Sequence, residues 1–303
     1  MGPRDGSLEV EPGITLHYAV QGEGPEVLLV PNAAWLARPL APLARGRRLV
    51  CYDLRGRGRS SPVDDPARLG ISFDVSDLEA LRRHLGLERT AVLAHSYATA
   101  VALLHALDHP GTVSRLVLVG GFGARRRPWH EAEQPTLGEM IRPPGAPRLG
   151  AMRAGRVHRT DPRGYAREWM RQYLLPLQVA HPHHVDRVPL DACDLPNEFP
   201  ERWLKQWMER IQPSLGDWDW RPRLPSLGVP VLLVWGQAER GPRELEREWL
   251  DSLRDGHLHL VSDAGHWPFC ENPGAFFPAV EAFLAGPAPR PAAPPGRAPR
   301  TVA

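Results

Sequence analysis

The sequence predicts an α/β fold, in which a mostly parallel central sheet is flanked by helices and interrupted by an inserted helical cap. Short apolar runs recur along the chain and are continuous rather than alternating, which is typical of parallel strands buried on both faces. Helical patterns separate these runs, and strand alternating with helix is the signature of an α/β sheet. The alternation stops in one long central stretch, where no convincing strand occurs and helical patterns alternate with Pro-rich loops.

The predicted strands are bounded by turn residues and are each long enough to cross a sheet once. They span residues 14–20, 26–31, 48–54, 90–94, 115–121, 230–236 and 257–261. Between them, a helix is predicted where Val75, Leu78, Leu81 and Leu85 share one face. Ser76 and Glu79 could form a capping box at its start, and Gly86 could end it.

The domain organisation follows from the interruption of the strand pattern. Residues 1–121 and 228–285 are predicted to form the two parts of one core, and residues 122–227 a helical cap inserted between them. Six of the ten tryptophans lie in the insertion, so it is not a disordered linker. Residues 286–303 consist mainly of Pro, Ala and Arg, and this tail is predicted to be disordered because it cannot form a core.

Composition favours a soluble cytoplasmic protein. The 303 residues carry a formal net charge of +2, which gives no reason to expect a nucleic-acid partner. The three cysteines do not suggest a disulfide framework, and a reducing cytoplasm suits them. The N-terminus lacks the apolar core of a signal peptide, and no apolar run approaches the length of a membrane span.

The stretch "AHSYA" places Ser96 between the strand at 90–94 and a helix rich in small residues. A serine at a sharp strand-to-helix turn is exposed above the carboxyl ends of the strands, where open α/β sheets bind ligands. The nucleophile motif G-x-S-x-G has glycines where this chain has Ala94 and Ala98. Alanine is the next smallest residue, so the turn could survive. The alternative is an ordinary serine that starts a helix.

Two further residues could form a catalytic triad with Ser96. His266 follows the strand at 257–261, just before Asn272 and Pro273, which are predicted to cap the next helix. A histidine there could accept the serine proton and return it to a leaving group. Glu239 follows the strand at 230–236 and could orient the imidazole. Asp263 is a weaker candidate for the acid because it lies only three residues before the histidine.

The chain order Ser96, Glu239, His266, with each residue after its own strand, resembles the α/β-hydrolase superfamily. The stretch "YDLRGRGRSS" is similar to the family's D-x-R-G-x-G-x-S loop, and the central insertion lies where the family carries its cap. The resemblance covers residues 8–285. Within the superfamily, it is strongest to a bacterial branch that includes proline iminopeptidases, lactonases and carbon–carbon bond hydrolases.

The resemblance also implies an oxyanion hole. The donors carried over would be the backbone N–H groups of Ala33 and Tyr97, each contributing about 3–4 kcal/mol to stabilising a tetrahedral intermediate. Pro31 and Asn32 stand where the family has His-Gly. Asn adopts the left-handed backbone more readily than most residues, which favours retention of the turn.

Aromatic residues near the strand ends predict an apolar or aromatic substrate pocket. The predicted substrate-binding residues are Asn32, Trp35, Phe122 and Trp267. Tyr97 and the cap tryptophans are further candidates, although any of the latter could simply pack the cap on the core: Trp129, Trp169, Trp203, Trp207, Trp218 and Trp220.

No cofactor and no metal are predicted. The stretch "GRGRSS" lacks the third glycine of a dinucleotide fingerprint, and the histidines of "HPHHVD" lack the spacing of a helical metal site. Cys270 is expected to be a packing residue rather than a second nucleophile. Glu198 and Glu201 are expected to be solvated at a helix start, although they could instead hold the amino group of a substrate.

Together these features predict a serine hydrolase that acts on a small, largely apolar carboxylic ester or lactone through an acyl-enzyme. Three alternatives remain open at the sequence level. They are a proline iminopeptidase-like aminopeptidase, a non-hydrolytic lyase or cyclase that uses the same three residues, and a ligand-binding protein in which the triad is vestigial. The natural substrate is not defined by the fold, because specificity resides in the cap.

Overall fold

The computed structural model describes residues 2–127, 146–239 and 244–286. Within them, eight strands form one sheet in the order β1-β2-β4-β3-β5-β6-β7-β8, with β3 to β8 parallel to one another and β1 and β2 antiparallel at one edge. The strands are β1 Arg4–Glu11, β2 Ile14–Gln21, β3 Val27–Pro31, β4 Arg48–Tyr52, β5 Thr90–His95, β6 Val113–Val119, β7 Val231–Gly236 and β8 Gly256–Val261. The predicted fold class and every predicted strand are confirmed.

The first strand was not predicted. β1 pairs with β2 through a tight turn in which Gly13 has a φ of 77°. Its side chains are exposed or only half-buried, and its polar residues gave no continuous apolar run. An edge strand of this kind depends on its neighbour for pairing, and hydrophobicity alone does not reveal it.

The central strands bury both faces, which explains their unbroken apolar character. In β3, Leu28 and Val30 contribute to the hydrophobic layer on one side of the sheet, while Val27 and Leu29 contribute to the layer on the other side. Successive side chains of a strand point in opposite directions. Two cores therefore form, and the sheet holds the site-bearing loops on a rigid base.

The core helices follow the predicted alternation. They are α1 Ala33–Leu36, α2 Ile71–His84, α3 Ala98–Asp108, α10 Glu244–Ser252, α11 Pro268–Glu271 and α12 Pro273–Leu284, with short 3₁₀ turns at Ala41–Ala44, Pro66–Arg68 and Leu224–Ser226. Asn272 caps α12 as predicted, since its side chain accepts a hydrogen bond from the Ala275 N–H at 3.3 Å.

The predicted capping box at Ser76 and Glu79 is wrong. α2 begins earlier, at Ile71, so both residues lie inside the helix. Ser76 donates to the Ser72 carbonyl at 3.0 Å, and Glu79 pairs with Arg82. The predicted end is correct, because the helix stops at His84 and Gly86 turns the chain with a φ of 64°.

In the described residues between β6 and β7, the regular secondary structure is helical apart from one β-bridge, and loops join the helices. The helices are α4 Ala146–Ala154, α5 Val157–Thr160, α6 Pro162–Trp169, α7 Leu175–Gln178, α8 Pro200–Gln206 and α9 Gln212–Ser214, joined by π-helical turns at Met170–Leu174 and Trp207–Ile211 and by 3₁₀ turns at Pro182–Arg187, Asp191–Asp194 and Pro196–Glu198. A single bridge between Arg125 and Asp219 pairs the two ends of this insertion. Trp129 and almost all of the predicted disordered tail lie outside the described residues.

None of the helices in the described ranges is both long and apolar enough to cross a membrane.

Candidate active site

The register of the parallel strands brings the predicted site residues to one edge of the sheet. His95 at the end of β5 lies opposite Val119 at the end of β6, and Gly236 at the end of β7 lies opposite Val261 at the end of β8. The loops that follow these strands carry Ser96, Glu239 and His266, and all three line one cavity. The placement expected from the sequence is therefore found.

Ser96 occupies the strained turn that was predicted for it. Its φ is 56°, in a region that non-glycine residues seldom adopt, and it lies between β5 and α3. Its N–H donates to the Val119 carbonyl at 2.9 Å, which ties the turn to the neighbouring strand. Ala94 and Ala98 are 0% and 2% exposed. Their methyl groups are thus accommodated in the packing around the turn.

His266 is held by Glu239. The imidazole Nδ1 and the carboxylate Oε1 are 2.5 Å apart, and both side chains are largely buried. An ionised acceptor makes such a hydrogen bond strong and selects the tautomer with the proton on Nδ1. No hydrogen bond joins Ser96 Oγ to His266 in these described residues. Contacts of this kind often tighten only when substrate binds.

The alternative acid, Asp263, is engaged elsewhere. Its Oδ1 lies 2.7 Å from Nε2 of His181, so it pairs with the "HPHHVD" segment rather than with His266. Glu239 is accordingly the carboxylate that contacts the imidazole.

Gly120 leaves the space in which the His266–Glu239 pair lies. It follows β6, which separates the serine strand β5 from the acid strand β7, and its φ is 55°. A Cβ at this position would lie 3.0 Å from His266 Nδ1 and 3.3 Å from Glu239 Oε1. A side chain here would therefore press on the contact between the two residues.

Replacing Gly120 with Ala is expected to lower kcat for any ester substrate about tenfold, because the added Cβ would displace the His266–Glu239 pair by a few tenths of an ångström. Steady-state kinetics with a 4-nitrophenyl ester, together with thermal unfolding, would measure it. Gly86→Ala is the matched control, since Gly86 has a similar φ of 64° and a Cβ there would have no neighbour within 4 Å. Equal kcat values for the two variants would contradict the role assigned to Gly120.

The turn predicted to form the oxyanion loop survives without its usual glycine. Asn32 has φ 74° and ψ 53°, the left-handed conformation that the sequence required of it. The next residue, Ala33, begins α1, where backbone N–H groups lack helical acceptors. Among the described residues, neither the Ala33 N–H nor the Tyr97 N–H has a hydrogen-bond partner. Both donors are thus free for a ligand oxygen, and their oxyanion role remains a prediction.

The Tyr97 side chain fixes the turn at Ser96 to helix α2. Its hydroxyl donates to Asp74 Oδ2 at 2.6 Å in the buried interface with α2. Burial raises the pKa of the Asp74 carboxyl to about 7. The loop after β4 supports the oxyanion turn as well, because Asp53 accepts hydrogen bonds from the Ala34 N–H at 2.7 Å and the Arg59 N–H at 3.0 Å.

The cavity has a volume of about 330 Å³, and eight of its described lining residues are tryptophan, tyrosine or phenylalanine. All four residues predicted to bind substrate line it: Asn32, Trp35, Phe122 and Trp267. The cap contributes Trp169, Trp203 and Trp207. Trp218 and Trp220 instead stack on each other with centroids 5.5 Å apart. A cavity of this size suits a small, mostly apolar ligand.

Glu198 is not solvated, and this expectation was wrong. Its side chain is 1% exposed and lines the cavity. Oε1 accepts from Arg57 Nε and the Gly58 N–H, while Oε2 accepts from Arg57 Nη2 and Trp35 Nε1, at distances of 2.5 to 3.0 Å. The attraction of Arg57 and these hydrogen bonds outweigh burial and lower the pKa of the carboxyl. The sequence could not reveal this because the partners are distant in the chain.

Glu271 is a buried carboxylate that sequence reasoning missed. Its Oε1 accepts from the N–H groups of Gly265 and Trp267, which flank His266, at 2.9 and 3.0 Å. Its Oε2 accepts from the Ala180 N–H at 2.7 Å and faces His184 Nδ1 at 3.0 Å. The carboxylate therefore clamps the histidine loop to the cap segment. This also explains the buried histidine of "HPHHVD" as a structural residue.

Two further contacts fix the histidine loop. His95, the residue before the serine, donates from Nε2 to the His266 carbonyl at 2.7 Å. Burial lowers the pKa of His95 well below its usual value, so the ring is neutral. The His266 N–H donates to the Gln178 carbonyl of the cap at 2.7 Å. The position of His266 thus depends on the nucleophile turn and on the cap together.

Other chemistry is less well supported by the described residues. Glu79, His105 and His109 place donor atoms within 4.8 Å of one another, but Glu79 already pairs with Arg82. Burial raises the pKa of the Cys270 thiol to about 12, so this group remains protonated and is a poor nucleophile. Cys51 and Cys193 are also free thiols.

Known proteins resemble the chain along most of its length. A 2-hydroxy-6-oxononadienedioate/2-hydroxy-6-oxononatrienedioate hydrolase of Pseudomonas putida is 28% identical over 297 residues, covering 93% of this chain and 94% of the relative. The proline iminopeptidase structure from Mycobacterium smegmatis superposes with a TM-score of 0.66 at 22% identity, covering 93% of this chain and 97% of that one. The enol-lactonase structure from Burkholderia xenovorans gives 0.64 at 20% identity, covering 90% and 98%.

The family model for the alpha/beta hydrolase fold matches residues 30–273. This span contains Ser96, Glu239 and His266 together with the whole of the helical insertion. The chain therefore belongs to the α/β hydrolase fold family.

Proposed function

We propose that the protein is a serine hydrolase that cleaves a small, largely apolar carboxylic ester or lactone. The observation that carries this proposal is the hydrogen bond of 2.5 Å between His266 and Glu239, in the cavity that also exposes the strained Ser96. Ser96 has a φ of 56° at the turn between β5 and α3. Backbone strain of this kind persists where the surrounding structure enforces it, and it clusters at active sites.

In the proposed mechanism, Ser96 Oγ attacks the substrate carbonyl while Nε2 of His266 removes its proton. Glu239 holds the proton on Nδ1 and stabilises the imidazolium that forms. The N–H groups of Ala33 and Tyr97 stabilise the negative oxygen of the tetrahedral intermediate. The imidazolium then protonates the departing alkoxide, which leaves an acyl-enzyme. Water attacks that ester with His266 as base, and collapse releases the acid and returns the proton to Ser96.

The contacts of Glu198 argue against the aminopeptidase alternative. A carboxylate offers about four lone-pair sites. Four protein donors already occupy those of Glu198: Arg57 Nε and Nη2, Trp35 Nε1 and the Gly58 N–H. A substrate ammonium would have to displace one of them. The other candidate, Glu201, is exposed and does not line the described cavity.

Hydrolysis of a compound such as 2-hydroxy-6-oxononadienedioate is the second candidate, because the Pseudomonas putida relative named for that substrate is 28% identical to this chain. The name denotes a dicarboxylate. In the described part of the cavity the only arginine or lysine is Arg57, and Glu198 already neutralises it. This arrangement favours an uncharged ester or lactone over a diacid.

Labelling with a fluorescent fluorophosphonate tests the nucleophile. We expect rapid labelling of the wild-type protein and none of Ser96→Ala, with hydrolysis of 4-nitrophenyl butyrate lost in parallel. Ser114→Ala is the matched control, since Ser114 lies on β6 away from this cavity. A folded wild-type protein that neither labels nor hydrolyses any ester would overturn the proposal.

A further inference from the structure

We propose that the substrate carries, away from its scissile carbonyl, an uncharged oxygen acceptor such as a ketone or ether, and that Arg57 binds this oxygen. The inference rests on the proposed function and specifies its substrate class. It begins from a guanidinium that lines the same cavity as Ser96 and His266.

Arg57 is fixed on two sides. Its Nε and Nη2 form a forked pair with Glu198 at 3.0 and 2.5 Å, and its guanidinium carbon lies 5.7 Å from the centre of the Trp203 ring. Glu198 and Trp203 belong to the cap, whereas Arg57 belongs to the loop after β4. A forked pair of this kind is planar and holds the guanidinium in one orientation. The contacts with Glu198 and Trp203 therefore hold the Arg57 guanidinium in a defined position at the cavity.

The guanidinium retains donors that the protein does not use. An arginine has five side-chain N–H groups. Two of them point to Glu198, and among the described residues Nη1 has no hydrogen-bond partner. The Arg57 side chain is only 12% exposed. Nη1 is not among the buried unpaired atoms of the described residues, so it is accessible, and Arg57 lines the cavity. An acceptor oxygen in the cavity can therefore take a charge-assisted hydrogen bond from it.

The charge balance favours an uncharged acceptor. Glu198 lies against Arg57 and compensates its positive charge, and the cavity is also lined by Glu239. A substrate carboxylate would add a further negative charge to a cavity whose only described arginine is already paired with Glu198, which is unfavourable. A ketone or ether oxygen accepts the same hydrogen bonds without this cost. Trp35, Trp169 and Trp207 surround the remaining apolar part.

Matched ester series test this inference. Each series contains an ester with a plain alkyl chain and esters of the same chain with an oxo group at position 4, 5, 6 or 7. For each oxo ester, the series also contains an ester whose chain ends in a carboxylate at the same position. The variable chain is placed once in the acyl part and once in the alcohol, and acid release is followed by titration. At the best position, we expect kcat/KM for the oxo ester to exceed that for the alkyl ester about tenfold, the gain of one hydrogen bond to a charged donor. The kcat/KM of the ester that carries the carboxylate should be lower than that of both other esters.

For each variant, kcat/KM for the oxo ester is divided by kcat/KM for the alkyl ester, so that a general loss of activity does not affect the comparison. Arg57→Lys keeps the charge opposite Glu198 but loses the fork, and the ratio should fall to within twofold of one. The double variant Arg57→Leu/Glu198→Leu should do the same without leaving a buried charge unpaired. Arg202→Lys is the control, because Arg202 pairs with the exposed Asp64 and does not line the cavity.

The outcomes separate the two proposals. Ester hydrolysis with no preference at any position, or with a preference that survives in both Arg57 variants, would overturn the role of Arg57. A preference for the carboxylate would overturn the uncharged acceptor. Absence of all ester hydrolysis would instead refute the proposed function itself.

Discussion

Replacing Glu239 with Gln is expected to lower kcat for ester hydrolysis by about 10³- to 10⁴-fold while the fold is retained. Glutamine matches glutamate in size, but it removes the negative charge that faces His266 Nδ1 at 2.5 Å. Its amide can also donate to Nδ1 and so place the imidazole proton on the wrong nitrogen. Steady-state kinetics and far-UV circular dichroism of the purified variant provide the measurement.

The matched control for Glu239 is Glu201→Gln, which removes an exposed glutamate of the cap. Its kcat should stay within twofold of the wild-type value. Near-normal turnover in Glu239→Gln would show that another group orients His266. Asp263 would then be the next residue to test, in spite of its contact with His181.

Replacing Glu271 with Gln is expected to reduce both stability and kcat. Four contacts converge on this carboxylate, three of them from backbone N–H groups that cannot accept a hydrogen bond. An amide nitrogen would face at least one of these donors, and each buried donor left unpaired costs about 1–3 kcal/mol. We therefore expect a loss of about 2–4 kcal/mol in the free energy of unfolding, measured by urea denaturation. The kcat of the variant should also be lower at urea concentrations well below the midpoint of unfolding. The reason is that His266 lies between Gly265 and Trp267, whose N–H groups donate to Glu271.

Glu201→Gln is again the control, because Glu201 is exposed on the cap and does not line the cavity. An exposed substitution of this kind should change the free energy of unfolding by no more than about 0.5 kcal/mol and leave kcat unchanged. If Glu271→Gln lost stability but kept wild-type kcat at low temperature, Glu271 would be a structural residue without a positioning role.

The most local features of the site were those that could be read from the sequence. The strand before Ser96 and the small-residue helix after it define the turn through nearest neighbours in the chain. Asn32 could replace a glycine because left-handed backbone is a property of one residue and its immediate neighbours, and its φ of 74° confirms this. The same reasoning failed at Ser76 and Glu79, where several residues could begin a helix and the choice of Gly70 depends on packing.

The sequence by itself determined the sheet-and-helix alternation, the position of the insertion and the order in which Ser96, Glu239 and His266 follow their strands. These depend on hydrophobic periodicity and turn residues, which act over short distances along the chain. Only the tertiary structure decided which acid meets His266, that Gly120 leaves room for the pair, and that Glu198 and Glu271 are buried. Those outcomes depend on strand order and on groups far apart in sequence, because a carboxylate is buried only where distant donors satisfy it.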